Sequence, residues 1–327
     1  MKRAFITGGS GFLGRHLIAD LRKRNVEVRA LARSDEACKR FAAAGAQAVP
    51  GDISDVRALQ SGMESCDLVF HAAAIVRDWG NLADFQQVNV QGTVNVLEAA
   101  KAAKVNRFVH VSSEAVLAGT ASLQNIDEKV PLPAHPLGPY ATTKGLAEKA
   151  VLSANTEGFA TIVVRPRFVW GKGDTSVLPQ IVEAVQKGTF RWIAGGRYLT
   201  STTHVENATE ALILAAEKGR PGEIYFATDG APVEFRAFIS QLLKTQGIAP
   251  PTRSVPRWLA RTSAAIVESI WPILGAKGAP PATRMAVKML GEEVTISDAK
   301  ARAELGYSSH IDRDGGLSEM SAAQAPA

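Results

Sequence analysis

Cysteine is scarce in this 327-residue chain: only Cys38 and Cys66 occur, at a separation that fits neither a metal-binding nor a redox pair. A disulfide framework is thereby excluded, and a reducing, cytoplasmic setting is the expectation. Long apolar runs are missing too. The longest, from Ala264 to Ala276, is interrupted by Glu268 and Pro272 and falls short of the roughly 20 residues that a spanning helix needs. The opening "MKRAFITGG" is cut by Thr7, Gly8 and Gly9 and has no small-residue cleavage pattern, so a first strand explains it better than a signal peptide. Lys and Arg are scattered, without a block of like charge behind the formal +5, which argues against a nucleic-acid surface. The six histidines form no i, i+4 pair and flank no cysteine pair, so no metal is expected.

What the chain does have is an apolar fraction of 46%, enough for about two domains with a sizeable core. The first half alternates short β-branched runs with helical patterns. "RAFITG", "VEVRALAR", "AQAVPGD", "CDLVFHAAA" and "NRFVHVSS" read as strands; "GRHLIADLRKRN", "DEACKRFAAAG" and "NVQGTVNVLEAAKAAK" read as helices. That rhythm predicts an α/β fold, a Rossmann-type doubly wound parallel sheet. We expect a dinucleotide-binding domain over 1–166, with 204–230 returning to it. A smaller mixed α/β substrate domain would comprise 167–203 and 231–327. After Ser112, "DEKVPLPAHPLGP" is too rich in proline for a helix and reads as a loop over a site.

"TGGSGFLG" stands between the first strand and first helix, where glycines let the backbone approach a pyrophosphate and a helix N-terminus favours its charge. Gly8, Gly11 and Gly14, with Phe12 and Leu13 in the same turn, are the expected phosphate-side contacts. At the end of the second strand, where an acid would accept the ribose 2′-hydroxyl of NAD, the chain has Arg33 and Ser34. A guanidinium and a hydroxyl suit a 2′-phosphate, so NADP(H) is expected ahead of NAD(H), although arginine stacked on adenine also tolerates NAD. Asp52 can accept from the adenine amino group with Ile53 packed beside the ring. Ala72, Ala73 and Ala74 are small residues at the carboxyl end of the fourth strand, where ligands bind in open α/β sheets.

"GPYATTKGLAEKA" places Tyr140 and Lys144 on one face of a helix, close enough for an ammonium to act on a phenol. A positive charge within about 4–6 Å favours phenolate by about 1–3 pH units, so Lys144 is expected to hold the phenol down. In order, "TGGSGFLG", "GDISD", "HAAA", "VNVQGT", "VHVSSEAV", "PYATTKGLAE", "VVRPRFVWGKGD" and "THVENATEA" resemble the extended short-chain dehydrogenase/reductase family, and most nearly its 3β-hydroxysteroid or sterol dehydrogenase branch. The resemblance runs from the first strand to about Gly230. It implies that Tyr140 exchanges a proton with the substrate oxygen and that Lys144 holds the nicotinamide ribose. It also implies that Ser113, chosen over Ser112 by its spacing to Val116, hydrogen-bonds the same oxygen. Asn89 would position the site, Pro166 would line the cofactor, and a homodimer would form through two long helices.

The same trio serves sugar-nucleotide epimerases and dehydratases, so residues elsewhere must decide the substrate. Arg33, the stretch "YLTSTTHVEN" where those enzymes grip a diphosphate, and an apolar C-terminal part with Trp192, Trp258 and Trp271 lean toward a steroid-like, long-chain or aromatic ketone or alcohol. A sensor that binds NADP without turnover is the remaining alternative, weakened by the intact trio. In segment 256–275, Leu259, Ile266 and Ile270 share one helical face and Arg257, Arg261 and Glu268 the other, a pattern of a pocket cover or of weak peripheral contact with a membrane.

Overall fold

Seven parallel strands form the main sheet, in the spatial order Ile224–Ala227, Ala160–Pro166, Arg107–Val111, Leu68–His71, Arg3–Thr7, Glu27–Ala32, Gln47–Pro50. The structure, a computed structural model, describes residues 1–274 and 278–322; Gly275, at the end of segment 256–275, and the last five residues lie outside the described residues. From Arg3–Thr7 the chain winds first toward Gln47–Pro50 and then back past its start toward Ile224–Ala227. The direction reverses between Arg3–Thr7 and Leu68–His71, whose last residues, Thr7 and His71, are paired. A crevice at the carboxyl ends of the strands follows from that reversal.

Both faces of the sheet are covered, which is why its strands read as almost unbroken apolar runs. On one face Ile6, Val28, Phe70, Val109 and Val164 pack under Leu17, Leu21 and Leu212 of helices Phe12–Lys23 and Val205–Lys218. On the other, Phe5, Val69, Phe108 and Val163 meet Leu59, Val96 and Val151 of helices Val56–Met63, Gly92–Ala102 and Gly138–Ser153. Helix starts follow local chemistry. Ser34 and Asp55 accept from the amides of Ala37 and Ala58, and Pro139 opens the helix that carries Tyr140.

A second, four-stranded sheet has the order Val233–Glu234, Leu199–Thr200, Val294–Ile296, Leu123–Ile126. Its last strand comes from the connection after Ser112, so this sheet is stitched to the first half of the chain. Phe226, Met285, Met289, Val294 and Ile296 form an apolar cluster on which Leu132, Leu137 and Tyr140 pack. The helix Arg257–Ile270 buries Ala260 and Ala264, and its charged groups are paired with the second sheet's surroundings: Arg261 with Glu292, Glu268 with Arg284, and Arg257 donates to the Gly291 carbonyl. Trp258, Ile266, Ile273 and Leu274 are left 68%, 55%, 82% and 66% exposed. No helix among the described residues is long and apolar enough to cross a membrane.

Candidate active site

The glycine turn leaves no room for side chains where the fold needs none. Gly8 has φ +74°, and a Cβ there would lie 2.6 Å from the Ala72 and Ala73 backbone. A Cβ on Gly14 would lie 2.2 Å from the Gly8 carbonyl oxygen. These two glycines let the helix Phe12–Lys23 settle onto the strand turn. At Gly11 a Cβ would meet only the Gly8 oxygen, at 3.3 Å, so that side of the turn stays open at the helix N-terminus. This is a cradle for a pyrophosphate, and the residues present fit a dinucleotide. Phe12 is buried at the helix start and Leu13 partly so.

Around the same strand ends, Arg33 is exposed and has no hydrogen bond or ion pair among the described residues, while the Ser34 hydroxyl caps the next helix. Asp52 is partly buried and accepts from the amide and hydroxyl of Ser54, with buried Ile53 packed against Gly92. Ala72, Ala73 and Ala74 follow His71 directly at the carboxyl edge, and Pro166 ends its own strand at that edge. Asn89 is buried in a π-helical turn, Gln86–Gln91. Its side chain accepts from the Ile75 amide at 2.7 Å and donates to the Ile75 carbonyl and the Thr143 hydroxyl. It thereby ties the loop after the fourth strand to the Tyr140 helix.

Ser113 caps the short helix Glu114–Leu117, whose Ala115, Val116 and Leu117 belong to the apolar cluster on which Tyr140 packs, so Ser113 and Tyr140 share one neighbourhood. Ser112 faces elsewhere: it is buried and donates to Glu148 at 2.7 Å. Lys144 is buried and donates to the Val111 carbonyl at 2.7 Å and to His110 Nε2 at 3.0 Å. Here the structure corrects the sequence expectation. Burial, then the Glu114 carboxylate, push the Tyr140 phenol up, and only the Ser113 hydrogen bond pulls it down. Burial also lowers Lys144 to about 8, against the pull of Glu148. Sharing a helix face is therefore not enough for the ammonium to act on the phenol, because Lys144 points its protons at the neighbouring strand.

Three buried groups beside the site escaped sequence reasoning. Glu148 forms a two-pronged ion pair with Arg165, whose Nε donates at 3.0 Å. Glu114 pairs with Arg167 at 2.6 Å and also accepts from the Ser113 hydroxyl. His110, which receives the Lys144 proton, is held well below its ordinary value by burial and by that ammonium. The one available signal was charge inside otherwise apolar motifs, in "VSSEAV", "GLAEKA" and "VVRPRFV".

Fold, glycine cradle and reactive edge together define an NAD(P)-dependent oxidoreductase of the extended short-chain dehydrogenase/reductase class, acting on CH-OH groups. Within that class the chain belongs to the 3-beta hydroxysteroid dehydrogenase/isomerase family, whose model matches residues 5–257. It is similar to the 4-hydroxy-2-methyl-3-oxo-4-farnesyl-3,4-dihydroquinoline-1-oxide ketoreductase of Stigmatella aurantiaca, 49% identical over 97% of this chain and 95% of that one. It is also similar to the 2-alkyl-3-oxoalkanoate reductase of Stenotrophomonas maltophilia, 33% identical over 99% of both. Among solved structures, gox2253 matches with a TM-score of 0.81 at 26% identity, over 98% of this chain and 97% of that one.

Proposed function

We propose that this protein is an NADPH-preferring reductase of an apolar ketone, with Tyr140 as the proton donor, Ser113 as its partner and Lys144 as the cation at the nicotinamide side. The observation that carries this reading is the placement of Tyr140, packed on the cluster that the turn after Ser113 also joins and set with the apolar wall of Met285, Leu132 and Leu137. The names of the two relatives, a ketoreductase for a farnesyl-bearing quinoline oxide and a reductase for 2-alkyl-3-oxoalkanoates, support it. Gly8, Gly11 and Gly14 would hold the pyrophosphate, Arg33 the 2′-phosphate, and Asp52 the adenine. When bound, the nicotinamide supplies the hydride.

The rest of the chemistry belongs to this chain. As the substrate oxygen gains negative charge, the Tyr140 hydroxyl gives it a proton, and a raised phenol arrives at that step in its protonated form. Asn89 holds the Ile75 loop and the Tyr140 helix at a fixed distance, and Lys144 keeps a further N–H beyond the two it donates to Val111 and His110.

Nicotinamide absorbance with long-chain β-keto acids, ketosteroids, aromatic ketones and sugar nucleotides tests the reading. Consumption of NADPH with an apolar ketone is the expected result. Arg33→Ala should weaken NADPH binding by about 10–100-fold while leaving NADH within about threefold, the size of a lost charge-assisted contact. Interconversion of sugar nucleotides without net cofactor use would replace this reading with an epimerase. The outward apolar side chains of helix Arg257–Ile270 extend the proposal, since they suit a lipid surface in which an apolar ketone is dissolved. Sedimentation with phosphatidylcholine vesicles should fall when Trp258 and Ile273 are both changed to Ser; no binding by the parent protein would remove this extension.

A further inference from the structure

The helix Arg284–Leu290 has two buried faces. Met285 and Met289, one turn apart, join the apolar cluster on which Tyr140 packs, and Val287 joins Ala260 and Ala264 of helix Arg257–Ile270. Its two ends are held unequally. At the C-terminal end the carbonyls of Met289, Leu290 and Gly291 accept from Arg167 Nη2 at 2.8 Å, the Tyr198 hydroxyl at 2.6 Å and Arg257 Nε at 3.2 Å. At the N-terminal end the Arg284 amide and guanidinium are bound by Glu268, which ties the two helices to each other and to nothing else.

Among the described residues a single hydrogen bond joins that N-terminal end to the dinucleotide side of the molecule. Thr283 Oγ1 donates to Asp78 Oδ2 at 2.6 Å and, as the helix cap, accepts from the Ala286 amide at 2.9 Å. Thr283 is only 2% exposed. Asp78 is anchored in turn, because it lies in the loop that Asn89 holds by both the amide and the carbonyl of Ile75, and Asn89 donates to Thr143 of the Tyr140 helix at 3.1 Å. A Cβ on Gly138, at the start of that helix, would lie 3.4 Å from the Asp78 carbonyl oxygen and 3.8 Å from Met285 Cβ. The loop after the fourth strand, the start of the Tyr140 helix and the start of Arg284–Leu290 therefore meet at one point.

We propose that Asp78 and Thr283 are positioning residues for the substrate: their hydrogen bond clasps the free end of Arg284–Leu290 and sets how closely Met285 stands to Tyr140. This deepens the function proposed above and rests on its placing of the substrate between Tyr140 and the apolar wall. A helix pinned at one end and clasped at the other swings about the pinned end once the clasp is lost, so Met285 moves more than Met289. The closed arrangement is then populated less, and the apparent affinity for an apolar ketone falls by that fraction. Met285 touches the inert part of the substrate and binds ground state and transition state alike, so the loss appears in KM and leaves kcat.

Asp78→Ala removes the acceptor and keeps the Thr283 cap on Ala286. With the apolar ketone that the parent enzyme reduces fastest, its KM should rise about tenfold, the scale of one hydrogen bond to a carboxylate, with kcat within about threefold and KM for NADPH within about twofold. Asp78→Asn retains an oxygen acceptor and should restore the parental KM. Thr283→Val should raise KM at least as far, and adding Asp78→Ala to it should change KM no further. Hydrogen exchange gives a readout that needs no substrate: amides of 284–290 should exchange about tenfold faster in Asp78→Ala, with the main sheet unchanged. Faster exchange with an unaltered ketone KM would leave a structural tie and overturn the role in positioning. A raised KM with unaltered exchange would overturn the clasp, since Asp78 would then act on the substrate directly. A parent enzyme that reduces no apolar ketone overturns the function proposed above, whereas an active parent matched by Asp78→Ala in both KM and exchange overturns this inference alone.

Discussion

Tyr140→Phe is expected to reduce ketone turnover by about 10²–10⁴-fold, the range for a general acid. The change removes one oxygen and leaves the ring on Leu132, Leu137 and the Met285 cluster, so the helix and the cofactor turn should be undisturbed. Cofactor affinity, measured by NADPH fluorescence, should stay within about twofold, because the phosphate and adenosine contacts assigned above lie on other elements and Lys144 is unchanged. A kcat within tenfold of the parent would remove Tyr140 from the chemistry. Its place beside the turn after Ser113 would then be a packing detail.

Glu148→Ala is expected to give the largest loss of stability, about 3–5 kcal/mol, because it strands a buried guanidinium. Arg165 and Glu148 are 2% and 1% exposed, Ser112 adds a hydrogen bond to the same carboxylate, and the guanidinium lies 5.4 Å over the Phe226 ring. Nothing in that environment replaces water around a lone charge. The pair is also close enough to Lys144 for Glu148 to support its ammonium, so the variant should lower Lys144 further. Urea unfolding provides the measurement. Glu148→Leu combined with Arg165→Met should recover most of the loss, since burying neither charge costs less than burying one. A single-variant loss below about 1 kcal/mol would contradict the account.

How much of the site was readable depended on the range of the forces behind it. The glycine turn was readable because its demands are local: a left-handed residue at Gly8 and a close approach at Gly14 lie within eight residues of each other. Tyr140 and Lys144 were readable as neighbours because helical spacing alone puts them on one face. What Lys144 bonds was not, since His110 is 34 residues away on a strand and meets it only after the sheet has formed. For the same reason the expected effect of Lys144 on the phenol did not survive. The strand Leu123–Ile126 was hidden in a connection because its partner, Val294–Ile296, lies far along the chain.

Periodicity and turn chemistry by themselves determined the succession of strands and helices, the glycine turn and the helix bearing Tyr140, because those features depend on near neighbours in sequence, whereas the sheet joins residues as far apart as Ala4 and Leu68. Only the tertiary structure decided which buried carboxylate meets which arginine. Glu114 is 53 residues from Arg167 and Glu148 is 17 from Arg165, yet both pairs end beside one serine pair at the strand ends. Buried charges must find partners wherever folding puts them. Here that requirement sets a carboxylate against each of the two serines, Glu148 against Ser112 and Glu114 against Ser113.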